Sequence, residues 1–441
     1  MSAAAAGVTS ELAECLAATP FTALPAAAIE DARRLVLDWC GVAFAGAAAP
    51  AGRMLHAQAQ ALGANGEATL CGGGRAAAAA AALANAGAAH ALELDDLHPA
   101  STLHPGAPII AAALAVAERE RADAAALLRA VVLGYEAALR IGEAVNPSHY
   151  RYFHPTGTVA TFGAAAAAGA LLGLPPAAMR DALGSAGTQA AGLWEFNADG
   201  AMSKPLHAAK AAFNGVLAAD LARAGFTAAT RILEGPRGFL AAMSTGADPG
   251  RIGAGLGRRW KIGETCFKLH ACCGHTHTAI DALLELRAAA GDEPPAAIQI
   301  ETYAPGYAIV REPNPRTPAQ AQFSLAYAAA AAWLEGRVGL AQFAPERFGP
   351  AGVREPRIAA LLPRVAITVA DGLTAAYPLV WPARVAVTLA GGRVLHAFRE
   401  HPDGSPAHPV DTPRLEAKLR TLVRPEQAAA VLAFHRRWTA C

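Results

Sequence analysis

The chain has 441 residues, of which 54% are hydrophobic and 17% charged, and 37 Lys and Arg against 36 Asp and Glu leave a net charge of +1. That length suffices for one large core plus a second domain. With no basic run and no interleaving of basic and aromatic residues, the charge balance excludes a nucleic-acid partner.

Aromatics make up only 6%, because alanine supplies most of the apolar content. Cores built on alanine let helices approach closely, so a compact helical body is expected. The low charged fraction points to a broad surface buried between subunits. The opening "MSAAAAGVTSELAECLAATP" has no basic segment followed by a strong apolar core, so no secretory signal is expected. Seven cysteines, an odd number in a long chain, fit reduced thiols in the cytosol.

From residue 9 to about 250 the pattern is helical. Ser10–Ala18, Ala26–Ala45, Arg75–Ala91, Ile109–Arg119, Asp123–Val145, Thr158–Leu174 and Lys204–Ala224 are rich in Ala and Leu, with Gly and Pro between them. Thr9 or Ser10 is the expected N-cap of the first, with Glu11 to Glu14 in its first turn. The longest uncharged run, Thr158 to Met179, stops at Pro175-Pro176 and reads as a buried helix, not a membrane span. Gly134 and Gly142 each cost about 1 kcal/mol relative to Ala inside a helix. They make sense if another helix crosses there.

After about residue 260 the pattern changes. "AIQIETYA" (297–304), "RVAITVA" (364–370), "ARVAVTLAGG" (383–392) and "RVLHAFRE" (393–400) alternate with period two, and Gly391-Gly392 reads as a hairpin turn. With helices over 277–290 and 323–336 they make an α+β unit of roughly 130 residues, an ordinary domain size. Helices over 413–423 and 425–438 rejoin the first body. The expected fold class is mainly α: a large all-helical domain, 1–264 plus 401–441, and a smaller α+β domain, 265–400.

Four segments carry chemistry. "ALELDDLHPASTLHPGAPII" (91–110) sets Glu93, Asp95, Asp96, His98 and His104 between two alanine-rich helices. With His90 these are metal-ligand types, but the spacing matches no HExxH or EF-hand pattern. A solvated loop after a helix is the plain alternative; the rigid His104-Pro105-Gly106 turn favours a histidine held on a scaffolded loop, where active-site residues concentrate. "YRYFHPTGTVATFG" (150–163) repeats the device with His154, and Thr156 opens a helix whose free N–H groups suit a carboxylate. "MSKPLHAAKAAFNG" (202–215) places Lys204 and Lys210 on an apolar helix. "CFKLHACCGHTHTAID" (266–281) holds Lys268, His270, Cys272, Cys273, His275 and His277. Adjacent cysteines are poor partners in one tetrahedral site and no CxxC occurs, so zinc is not expected. A lysine in a confined site works as acid or base. The constellation points to proton transfer on an anion without metal or organic cofactor.

These segments, with "GYEAALRIG", "GSAGTQAAGL", "ILEGPRGF", "AQFSLAY" and "DGSPAHPVDTPRLEAKL", resemble the MmgE/PrpD family nearly end to end and in order. That family includes 2-methylcitrate dehydratases, cis-aconitate decarboxylases and iminodisuccinate epimerases. The resemblance implies a helical domain with the α+β part inserted as a lid, a site between them, a homodimer and a cytoplasmic setting. It places the family's acidic position on Glu93, usually Asp, beside Asp95 and Asp96, and its histidines on His104 and His154. Its lysines fall on Lys204 and Lys268, its lid position on Cys273, and its tyrosines on Tyr327 and, more loosely, Tyr150. Leu97 stands where Thr is common, and Cys273 where some decarboxylases carry His, which disfavours decarboxylation.

The expected activity is that of a cofactor-independent lyase, a 2-methylcitrate dehydratase-like hydro-lyase on a di- or tricarboxylic acid. Epimerisation of an amino-dicarboxylate such as iminodisuccinate is the alternative, ahead of decarboxylation or mere polycarboxylate binding. Lys268, His104, His154, Lys204 and Tyr150 are the expected catalytic set. Glu93, Asp95, Asp96, Thr156, Cys273 and Tyr327 are the expected binding set. Lys268 lies where helical pattern gives way to strand, so desolvation beside Lys204 is expected to push its pKa down.

Overall fold

Helices whose facing residues are alanine and glycine can approach until their backbones touch, and here they do. In a computed structural model describing residues 7–63, 66–291 and 293–441, helix Ala124–Val145 crosses helix Ala160–Leu171 at two glycines. A Cβ on Gly134 would lie 2.8 Å from the Gly163 carbonyl oxygen, and one on Gly163 would lie 2.7 Å from that of Gly134. The expected crossing at Gly134 is therefore present. Gly142 has a different reason: its missing Cβ makes room for Ser101, 2.6 Å away, in the loop after helix Ala78–His90.

Around this crossing the helices Val8–Ala18, Ala26–Gly46, Pro50–Leu62, Gly106–Glu120, Pro176–Gly187 and Ser203–Arg223 share one apolar cluster. Leu415 and Leu419 of Thr412–Leu422 and Val431, Leu432 and Trp438 of Pro425–Thr439 belong to the same cluster. The first helix starts at Val8 with Gly7 as N-cap, not Thr9 or Ser10, because the Thr9 hydroxyl donates to distant Glu234. Residues 1–6, where the segment read for a secretory signal begins, lie outside the described residues. Helix Ala78–His90 starts late because Arg75-Ala76 pairs antiparallel with Ala68-Thr69. Among the described residues no single helix is long and apolar enough to cross a membrane.

A second apolar cluster surrounds a four-stranded sheet. Its spatial order is Val365–Val369, Pro295–Thr302, Ala383–Leu389, Val394–Arg399. The first pair is parallel with Ile300 opposite Ile367; the others are antiparallel, with Ile300 opposite Val385 and Val385 opposite Ala397. Period-two alternation buries Ile298, Ile300, Val385 and Val387 together with residues of helices His277–Ala290 and Leu325–Glu335. The hairpin turns at Gly391-Gly392, where Gly392 has φ +88°.

Leu97, in the loop after helix Ala78–His90, and Cys266 exchange backbone hydrogen bonds of 2.9 and 2.7 Å. Nearby, Arg140 of helix Ala124–Val145 is wholly buried. It donates to Glu136 and, at 2.8–3.0 Å, to the carbonyls of Ile252, Ala254 and Arg259. Among the described residues, Arg140→Met removes the only cation paired with the buried Glu136 carboxylate, leaving it the Lys261 N–H alone, and takes the donor from three carbonyls. It is expected to lower the unfolding free energy by about 3–5 kcal/mol, read as a shift of the urea midpoint.

Candidate active site

Helix Ala78–His90 ends at His90, and three residues later Glu93 turns the chain with φ +56°, a left-handed conformation rare outside glycine. The loop that follows is braced rather than solvated. Asp96 accepts from the Tyr135 hydroxyl at 2.6 Å and from the Gly106 N–H at 2.9 Å. Burial pushes its carboxyl up to about 8 against those bonds. Asp96 is thus a brace for the His104 turn. Thr156 braces the same turn: its hydroxyl accepts the His104 backbone N–H at 3.1 Å, and its short helix Pro155–Thr158 is buried.

Thus held, the His104 ring donates from Nδ1 to the Asp96 carbonyl at 2.8 Å. A carbonyl only accepts, so Nδ1 carries the proton and the neutral ring keeps a lone pair on Nε2. Burial lowers the His104 pKa to about 3, opposed by Asp95 and assisted by Lys204 and Lys268. Asp95 accepts from His90 Nδ1 at 2.6 Å and lies 3.7 Å from His104 Nδ1. Burial works against its charge, but His90, His104 and Lys268 hold it well below the usual carboxylate range. His154 pairs its Nδ1 with His207 Nδ1 at 3.1 Å, and its buried Nε2 has no partner among the described residues. The His90 ring lies 5.1 Å from His104 and 5.4 Å from His154.

Lys204, in the first turn of Ser203–Arg223, and Lys268 are 4% and 1% exposed. Their ammonium groups meet on one carboxylate: Glu93 Oε1 accepts from Lys204, and Oε2 from Lys268 at 3.4 Å. Burial would raise the Glu93 pKa, but Lys204 and Lys268, with His90 and His104, hold it at about 2. The expected depression of Lys268 does not occur. Burial acts in that direction, but Glu93, Asp95 and two thiols outweigh it, and its pKa is raised. Lys268 is a fixed cation.

Tyr150 pairs with His275 Nε2 at 3.1 Å, and His275 Nδ1 pairs with the Tyr303 hydroxyl at 2.7 Å. Burial pushes the Cys273 thiol up to about 11, so it is a neutral packed neighbour of the lysines. Tyr327 is not in the site. It packs against Phe343 and Phe348 beside the sheet, and its hydroxyl donates to the Gln342 carbonyl.

A cavity of about 880 Å³ opens between the end of helix Ala78–His90, the start of Ser203–Arg223 and helices Ala304–Val310 and Pro318–Gln322. His90, Glu93, Lys204, Trp194 and Phe323 line it; His104, His154 and Lys268 do not. A smaller cavity of about 300 Å³ reaches Lys268 together with His98, Glu264 and Trp381.

Sequence reasoning placed His90 only among metal-ligand types and missed His207 and Trp194. His207 was findable, since it lies three residues after Lys204 and so shares its helix face. The His90, Asp95 and His104 donors lie within 4.8 Å of one another, a metal-like cluster the spacing did not reveal. Both Nδ1 atoms are already hydrogen-bonded, and ammonium groups stand beside them. The arrangement is suited to hold a polyanion and move a proton.

Residues 10–252 match the MmgE/PrpD N-terminal domain and residues 270–439 the MmgE/PrpD C-terminal domain. The chain is 30% identical over 306 residues to cis-aconitate decarboxylase of Aspergillus terreus, a match covering 64% of this chain and 61% of the relative, less than two thirds of its length. It is 29% identical over 365 residues to the cis-aconitate decarboxylase-like protein oryM of Aspergillus oryzae, covering 77% and 76%. To cis-aconitate decarboxylase of Homo sapiens it is 27% identical over 412 residues, 89% of this chain and 82% of that one. With both domains matched in order, the chain belongs to the MmgE/PrpD family.

Proposed function

We propose that the protein is a lyase acting on a small di- or tricarboxylate by proton transfer at the carbon next to a carboxylate. The observation that supports this most is the pairing of two buried ammonium groups, Lys204 and Lys268, with a neutral His104 whose Nε2 is unprotonated. Removing a proton next to a carboxylate builds negative charge on the carboxylate oxygens, and fixed cations in a dry site stabilise it strongly. In this reading the lysines hold the substrate's carboxylates and His104 takes the proton. For a hydro-lyase the β-hydroxyl then departs as water, taking with it the proton that His104 has just removed, which returns His104 to its neutral form. Charge stabilisation comes from the chain's own ammonium groups, with no metal or organic cofactor.

Dehydration of a 2-methylcitrate-like acid is the first reading, because the family resemblance puts Cys273 at a position where some decarboxylases carry His. Decarboxylation of a cis-aconitate-like acid is the second, favoured by the relatives just named. A homodimer in the cytoplasm, without nucleic-acid or membrane partners, belongs to the same proposal.

Proton NMR in D₂O against 2-methylcitrate, cis-aconitate and iminodisuccinate separates the outcomes. Dehydration collapses the methyl doublet of 2-methylcitrate to a singlet, or gives a new vinyl proton if the methylene side is lost, decarboxylation gives a product one carbon shorter, and epimerisation only exchange of the α-proton. Binding without any of the three would leave a polycarboxylate-binding protein. The rate is expected to survive exhaustive chelation; loss on removing zinc with recovery on its return would sink the mechanism.

A further inference from the structure

The anion subsite of this protein is already occupied by one of its own side chains. Glu93 carries a carboxylate long enough to touch both Lys204 and Lys268, and it lines the large cavity from which a ligand would arrive. Lys204 lines the same cavity, whereas Lys268 does not. A ligand entering there meets Glu93 before it can pair with both ammonium groups. The two ammonium groups share the single Glu93 carboxylate, while Asp95 pairs with His90 at 2.6 Å and His104 is neutral. A di- or tricarboxylate added to this set would leave surplus negative charge in a dry site, which is strongly unfavourable. Something negative has to leave the lysines. Asp95 is the less free to go, since it is held by His90 at 2.6 Å and does not line the cavity. Glu93 also sits at φ +56°, a strained backbone conformation for a residue with a side chain.

Resting on the polycarboxylate reading above, we propose that Glu93 is a built-in competitor for substrate. Its carboxylate occupies the Lys204–Lys268 subsite in the free protein, and a substrate carboxylate binds by displacing it. Affinity for the substrate class is then set partly by the strength of this internal ion pair. Glu93 moves toward the cavity, where Arg311 and Gln322 also line the wall.

The test is calorimetric titration of full-length wild type, Glu93→Gln and Glu93→Asp with tricarballylate. That saturated tricarboxylate has no hydroxyl to lose and no double bond to assist decarboxylation. Glu93→Gln keeps the shape and removes the competing charge, and it is expected to bind at least ~10-fold more tightly than wild type. Glu93→Asp, too short to serve both lysines equally, is expected to fall between and decides the matter if Glu93→Gln does not fold. Adding tricarballylate should also raise the Tm of the variants more than that of wild type. Wild type that binds as tightly as or more tightly than the folded variants overturns the competitor and leaves the polycarboxylate reading standing. Absence of binding in all three proteins overturns both.

Discussion

Lys268→Met is expected to give a folded protein whose turnover falls by ~10³-fold, the upper range for losing one preorganised charge-stabilising group. Met retains most of the apolar stem, and Glu93 keeps Lys204 as partner, so no carboxylate is left wholly unpaired. Most of the loss should fall on kcat, because a fixed cation acts where charge develops. A rise in KM alone would make Lys268 a simple anchor. The pH signs follow from the shifts. Lys268 is raised above its ordinary 10.5, so its contribution to stability is complete below that pH and is lost only as pH rises through the folded value. Glu93 is lowered from 4.5 to about 2, so its contribution is complete above pH 4.5 and is lost as pH falls toward 2.

Replacing His104 by Ala is expected to lower turnover by at least ~10²-fold, the low end for a lost general base. The folded protein should still bind substrate, since the two lysines remain. His104 in the free protein titrates near 3, so it stays neutral from pH 5 to pH 8 and contributes no limb to kcat/KM in that window. An acid limb near the ordinary histidine value of 6.5 that vanishes in His104→Ala would contradict this environment. A folded variant with wild-type kinetics would return His104 to a packing role.

The elements were most legible where local signals agree. Period-two runs marked all four sheet strands, and Gly391-Gly392 marked their hairpin. Helices Pro50–Leu62 and Pro176–Gly187 escaped because each starts on a proline, which reads as a stop yet suits the first helical turn. In the site, His104, His154, Lys204, Lys268 and Glu93 were legible because polar groups are conspicuous against alanine, and the structure gathers all five. Their roles were less so. Asp96 and Thr156 became braces through partners distant in sequence, Tyr135 and His104, which spacing does not encode. The Lys268 shift came out opposite in sign because it depends on where Glu93 points, and a left-handed turn decides that. Tyr327 aligned by motif but faces the other way, into the packing beside the sheet.

The contact between Gly134 and Gly163 has a mechanical consequence for the chemistry. Tyr135 is the next residue on that helix; it holds Asp96, which holds both the Gly106 N–H and, through its carbonyl, the His104 ring. The His104 loop is thus referenced to a place where two backbones meet directly, with the Ile109 side chain packed against the same two glycines. A side chain at such a contact would absorb small displacements by changing rotamer, whereas two peptide groups have no such freedom. A single added methyl at Gly134 would meet the Ile109 side chain at 2.6 Å and the Gly163 carbonyl oxygen at 2.8 Å, and the resulting shift would be passed along the tyrosine and felt at Nε2 as misalignment.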